Sequence, residues 1–116
     1  MAAIPEITVQ TLAAKLRSED QFVLLDVREL WELESARIAD HRLVIAPMSS
    51  LSQLGLPGLP EAAQSPEADV FVLCHHGVRS AQVTAWLSAR GWTRAFSVSG
   101  GIDEYARKVD SSVGSY

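Results

Sequence analysis

Apolar positions recur along this chain with two distinct rhythms. Val9, Leu12, Ala13 and Leu16 stand at i, i+3, i+4 and i+7, the spacing that lines one face of a 3.6-residue helix. Thr8 precedes them as an N-cap, its hydroxyl able to accept a first-turn amide. Val83, Trp86, Leu87 and Arg90 form a second stripe within Val78–Arg90, and Gly91 is placed to stop that helix. Ile102, Tyr105, Ala106 and Val109 form a third. Between these lie short continuous runs: Phe22–Asp26, Leu43–Ala46, Val70–Leu73 and the weaker Ala95–Val98. They are too brief for helices and do not alternate, which fits strands covered on both faces, as in a parallel sheet. Strands alternating with helices predict an α/β architecture with helices on both sides of a mostly parallel sheet. Ligands of such sheets sit beyond the carboxyl ends of the strands.

Two stretches carry neither rhythm. Ser52–Asp69 is broken by proline and glycine and reads as a long connection. Asp110–Tyr116 is small and polar and is expected to fray. No internal repeat interrupts the rest, so a single domain over 1–116 is expected, its ordered core running from about residue 5 to 109.

Composition narrows the class. The 116 residues are 47% hydrophobic and 21% charged, enough apolar mass for a core and too much for a disordered chain. A net charge of −4 argues against a nucleic-acid partner, which calls for a basic stripe. No apolar run approaches the roughly 18 residues of a membrane span, and the start lacks the features of a signal peptide. A soluble monomer of a reducing cytoplasm is expected. The one cysteine cannot close an internal disulfide or build a cysteine zinc cluster; it is either inert core filler or a reactive thiol.

Its neighbours decide between these. Val70-Phe-Val-Leu-Cys74-His75-His76-Gly77-Val78-Arg79-Ser80 reads as a buried strand, a tight loop opened by a thiol, and a helix N-terminus. Gly77 permits backbone angles other residues avoid. The amides that follow can converge on one point, backed by the helix dipole. Arg79 adds a fixed positive charge and Ser80 can tie the loop down. A thiol so placed has its pKa lowered to roughly 3.5–7.5, and the same donors would hold an anionic adduct on its sulfur.

Cys74-x-x-Gly77-x-Arg79-Ser80 after an apolar strand resembles the active-site loop of rhodanese-like sulfurtransferases. Leu24-Leu25-Asp26-Val27-Arg28-Glu29 is similar to that family's Asp-Val-Arg-Glu signature, and Ser99-Gly100-Gly101-Ile102 to its late Gly-Gly motif. The resemblance runs from Ile7 to Tyr105. Two places depart from it: Ala36-Arg37-Ile38 stands where the family has Gly-His-Ile, and Tyr105 where it usually has tryptophan. The resemblance implies a three-layer fold around a five-stranded sheet, with Cys74 at the end of the fourth strand. It implies covalent catalysis: Cys74 takes a sulfane sulfur from a small donor such as thiosulfate, and the persulfide passes it to a thiol, cyanide or a protein acceptor. No metal or organic cofactor is implied. Two rivals remain, a non-catalytic binding module and a phosphatase or arsenate reductase. An intact thiol speaks against the first. The second has five residues between cysteine and arginine, against the four here.

The other candidates have plainer readings. His75 and His76 are taken as exposed, titratable loop residues whose backbone amides matter more than their rings; without a carboxylate nearby they make a poor metal set. With Gly77, Val78, Arg79 and Ser80 they complete the expected anion-binding loop. Asp26 and Arg28 read as a structural ion pair, and Gly100 and Gly101 as a tight turn near the active face. Trp31, Trp86 and Trp92 read as packing, and Glu29, Glu32 and Glu34 as a solvated helix face.

Overall fold

The computed structural model describes residues 3–116; Met1 and Ala2, which open the leaderless start expected above, lie outside the described residues. Five strands, β1 (Glu6–Ile7), β2 (Val23–Asp26), β3 (Leu43–Ile45), β4 (Val70–Leu73) and β5 (Ala95–Val98), form one sheet in the order β1-β5-β4-β2-β3. Every neighbouring pair is parallel, so the expected five-stranded α/β sheet is present. β1 escaped the pattern because two residues cannot display a period.

Strand parity divides the core. Val23, Leu25, Val70 and Val72 point to one face, and Cys74, one step past β4, shares it. Leu24, Phe71 and Leu73 point to the other. Helices α2 (Met48–Leu54) and α3 (Val78–Ser88) cover the first face through Leu51, Val83 and Leu87. Helices α1 (Val9–Arg17) and α4 (Gly101–Lys108) cover the second through Val9, Leu12, Ile102 and Tyr105. Thr8 caps α1 as expected, its hydroxyl accepting from the Thr11 amide at 3.0 Å. β4 is central, and the loop after it lies between the two helical layers.

Four expectations need correction. The stretch 52–69 is not loose: it completes α2 and adds short 3-10 turns at Leu56–Gly58 and Glu61–Ala63. Leu59 and Ala63 are buried, and Trp92 Nε1 donates to the Ala63 carbonyl at 3.0 Å. The segment 110–116 is docked rather than frayed. Ser111–Val113 forms a 3-10 turn, Arg37 N donates to the Val113 carbonyl at 2.8 Å, and Ala36 bridges Gly114. Trp31 is not packing, being 64% exposed, whereas Trp92 is buried and Trp86 is half-buried under Arg90. Helix α3 ends at Ser88, two residues short of the expected Arg90, and Gly91 follows in the left-handed region at φ +103°. Among the described residues no helix is long and apolar enough to cross a membrane.

Candidate active site

Cys74 leaves the carboxyl end of β4, where a parallel sheet opens toward its ligands. The residue is 1% exposed, yet its sulfur does not face hydrocarbon alone. The Gly77 and Ser80 amides donate to Sγ at 3.0 and 3.3 Å, and the thiol lies 3.3 Å from Ser80 Oγ. Of the loop 75–80, these two amides are the ones within hydrogen-bonding distance of the sulfur. Ser80 is itself fully buried; its hydroxyl lies 2.8 Å from Ser97 Oγ on β5 and 3.2 Å from the Gly77 carbonyl. It therefore fixes the loop against the sheet.

Glycines allow this curvature. Gly77 caps α3 at φ +102°, and a Cβ there would lie 3.1 Å from Gly100 N. Gly100 and Gly101 both have positive φ, +78° and +62°. A Cβ on Gly101 would run into the carbonyls of Cys74 and His75. Those carbonyls accept the amides of Ile102 and Asp103 at 2.9 and 3.0 Å. The late Gly-Gly pair thus lets the first turn of α4 dock on the cysteine loop.

Asp26 and Arg28 form a fully buried ion pair, Arg28 Nη2 to Asp26 Oδ2 at 2.8 Å. Arg28 Nη1 also reaches the Ala36 carbonyl at 2.9 Å and Tyr116 Oη at 3.2 Å. The pair is a hub that joins the end of β2, the 36–38 segment and the C-terminal segment. Burial works against the Arg28 charge, while the Asp26 carboxylate favours it, and its pKa stays above the usual value.

Glu32 is the residue the sequence misplaced. Rather than a solvated face, it lies in a 3-10 turn, Leu30–Glu34, and is 3% exposed. Arg79 grips its carboxylate with both terminal nitrogens, at 2.7 and 2.8 Å. The Glu29 amide and the Tyr116 hydroxyl donate to the same carboxylate, each at 2.8 Å. The Arg79 hydrogen bonds outweigh burial and hold the Glu32 pKa down at about 2, and Glu32 in turn raises that of Arg79. Arg79 does not reach into the loop as a free charge.

His76 is exposed as expected, whereas His75 is not. The His75 ring is stacked between His76, at 3.9 Å, and Tyr116, at 3.8 Å between ring centroids, and its Nε2 is buried without a hydrogen-bond partner. Burial, followed by the neighbouring His76, lowers its pKa. Asp103 does supply the carboxylate whose absence was assumed, with Oδ2 3.9 Å from His76 Nε2. Together His75, His76 and Asp103 offer three ligand atoms that lie within 4.8 Å of one another, so the expectation of a poor metal set for want of a nearby carboxylate is corrected. Val78 is 68% exposed at the rim.

A strand-end thiol held by the amides of a short glycine loop, with a Gly-Gly turn behind it, defines the class. The sequence profile of the family described as Rhodanese-like domain matches residues 8–108, and the chain belongs to that family. It is similar to the Rhodanese-like/PpiC domain-containing protein 12, chloroplastic, of Arabidopsis thaliana, with 35% identity over 118 residues. That match covers 97% of this chain but 38% of the plant protein. A sulfurtransferase of Allochromatium vinosum is 29% identical over 104 residues, 90% of each chain. A rhodanese-like domain protein of Staphylococcus aureus superposes with a TM-score of 0.71 at 27% identity, covering 87% of this chain and 90% of that one. Among the curated relatives the lengths thus differ: the chain spans well under two thirds of some and nearly all of another.

Proposed function

We propose that this protein is a sulfurtransferase that carries sulfur as a persulfide on Cys74. The observation that carries the reading is the pair of amide donors on Sγ at the open end of β4. The Cys74 thiolate attacks the sulfane sulfur of a donor. One S–S bond forms, the donor's S–S or S–S(O) bond breaks, and its electron pair leaves with sulfite or an organic thiolate. The new persulfide carries its charge on the outer sulfur, beside the loop amides and the N-terminus of α3, where aligned dipoles favour an anion. A thiol, cyanide or a protein acceptor then removes that sulfur, and the thiolate returns. Electrons balance without a redox partner.

The loop 75–80 supplies the binding wall. Asp26, Arg28, Gly100 and Gly101 hold its shape without touching the reacting sulfur atoms, while Ser80 both braces the loop through its hydroxyl and donates its amide to Sγ. The likeness to the Allochromatium sulfurtransferase over nearly its whole length supports transfer rather than mere binding. We place the protein as a cytoplasmic monomer that acts on small donors and on neither nucleic acid nor membranes.

A single-turnover experiment tests this. Reduced protein mixed with excess thiosulfate should release sulfite in an amount equal to the protein, and Cys74→Ser should release none. Sulfite release that persists in Cys74→Ser would remove the cysteine from the reaction.

A further inference from the structure

The two histidines of the cysteine loop converge on a carboxylate from another element. His75, His76 and Asp103 each offer one ligand atom, and the three atoms lie within 4.8 Å of one another. His76 Nε2 is 3.9 Å from Asp103 Oδ2. Donors held at about 2.0–2.2 Å by a tetrahedral ion stand roughly 3.4 Å apart. A small rotation of the His76 ring, which is 62% exposed, closes that gap. His75 adds an independent sign of a ligand. Its Nε2 is buried and has no hydrogen-bond partner among the described residues, a costly state for a polar nitrogen. The plane of its ring is set by Tyr116, stacked on it at 3.8 Å and 9°.

Backbone fixes the pieces relative to one another. The Asp103 amide donates to the His75 carbonyl at 3.0 Å, and the Ile102 amide to the Cys74 carbonyl at 2.9 Å, so the start of the loop and the first turn of α4 keep their spacing. One group competes for the carboxylate: Arg107 Nε lies 3.2 Å from Asp103 Oδ2. Its side chain is 61% exposed, and a surface pair of this kind holds weakly. Cys74 stands outside the cluster, its sulfur turned to the Gly77 and Ser80 amides.

We infer that His75, His76 and Asp103 form a binding site for a divalent transition-metal ion, with zinc the best match. Two imidazoles and one carboxylate favour zinc over calcium or magnesium, which take oxygen ligands. Three protein ligands leave a fourth position for water. The ion joins the loop to α4 through side chains, at the point where their backbones already meet. It takes no part in the sulfur chemistry proposed above, and the site does not depend on that chemistry.

Zinc titrated calorimetrically into Cys74→Ser tests this, in a background where no thiolate can capture the ion. One equivalent should bind. His76→Ala and Asp103→Asn, each added singly to that background, should weaken binding at least tenfold. His41→Ala should leave it unchanged: His41 also stands beside a carboxylate, 3.8 Å from Asp40, but has no third ligand. Cobalt(II) supplies a second measurement that needs no ligand variant and so decides should one of them not fold. The chain has three histidines, and in the NMR spectrum of Cys74→Ser cobalt should broaden the ring protons of His75 and His76 well before those of His41. No binding to Cys74→Ser, binding that survives either folded ligand variant, or broadening that begins at His41 overturns the inference.

Discussion

Glu32 is a carboxylate whose proton the fold refuses until about pH 2, because two guanidinium N–H groups must be given up to accept it. In an unfolded chain the same group titrates near 4.5. Its folded pKa is depressed, so its contribution to stability is complete above about pH 4.5 and is lost as pH falls toward about 2. That contribution is on the order of 3 kcal/mol. Urea unfolding across this range should show a decline in the wild type that is largely missing in Glu32→Gln; parallel pH curves would refute the assignment. The residue was illegible in the sequence for a plain reason. Its partners Arg79 and Tyr116 lie 47 and 84 positions away, and three glutamates at close spacing look like a solvent face. Cys74, Gly77 and Ser80 were legible because the geometry that joins them is local, within one strand-loop-helix.

Among the elements, glycines govern how α4 meets the cysteine loop. Gly91 and Gly101 make the contrast. Both have positive φ, +103° and +62°, but a Cβ on Gly91 would meet open space while one on Gly101 would strike two backbone carbonyls. Gly91→Ala should therefore cost only the backbone strain, about 1–2 kcal/mol. Gly101→Ala should cost more, about 2–4 kcal/mol, because backbone must move. It should also slow sulfur uptake at least tenfold, since the Ile102 and Asp103 amides that brace the loop would shift. Equal costs in urea unfolding would contradict this account. Helices with full stripes, α1, α3 and α4, could be read from the periodicity. β1, α2 and the 3-10 turns could not, being too short to complete a pattern or interrupted by Pro57 and Pro60. Tyr116 shows the same limit from the other side: its polar surroundings suggested fraying, while its ring finds His75 and its hydroxyl finds Glu32.

For the molecule as a whole, the Asp26–Arg28 pair fastens the sheet to the segments that wall the site. Both side chains are fully buried, so removing one charge strands the other. Asp26→Asn should lower unfolding stability by about 3–5 kcal/mol, read from the urea midpoint at unchanged slope. A loss below about 1 kcal/mol would show that the hub is incidental. The layered fold itself was readable from strand runs alternating with helical stripes, because both sheet faces must be covered. What sequence spacing could not convey is which charges cancel across the layers, and that cancellation alters the electrostatics of the site.

The most direct measurement is the intact mass of the reduced protein after exposure to a sulfane donor, followed by peptide mapping. The account predicts one added sulfur atom, located on Cys74, lost on addition of a thiol and absent from Cys74→Ser. An unchanged mass with both thiosulfate and organic persulfides, or sulfur found on another residue, would contradict it.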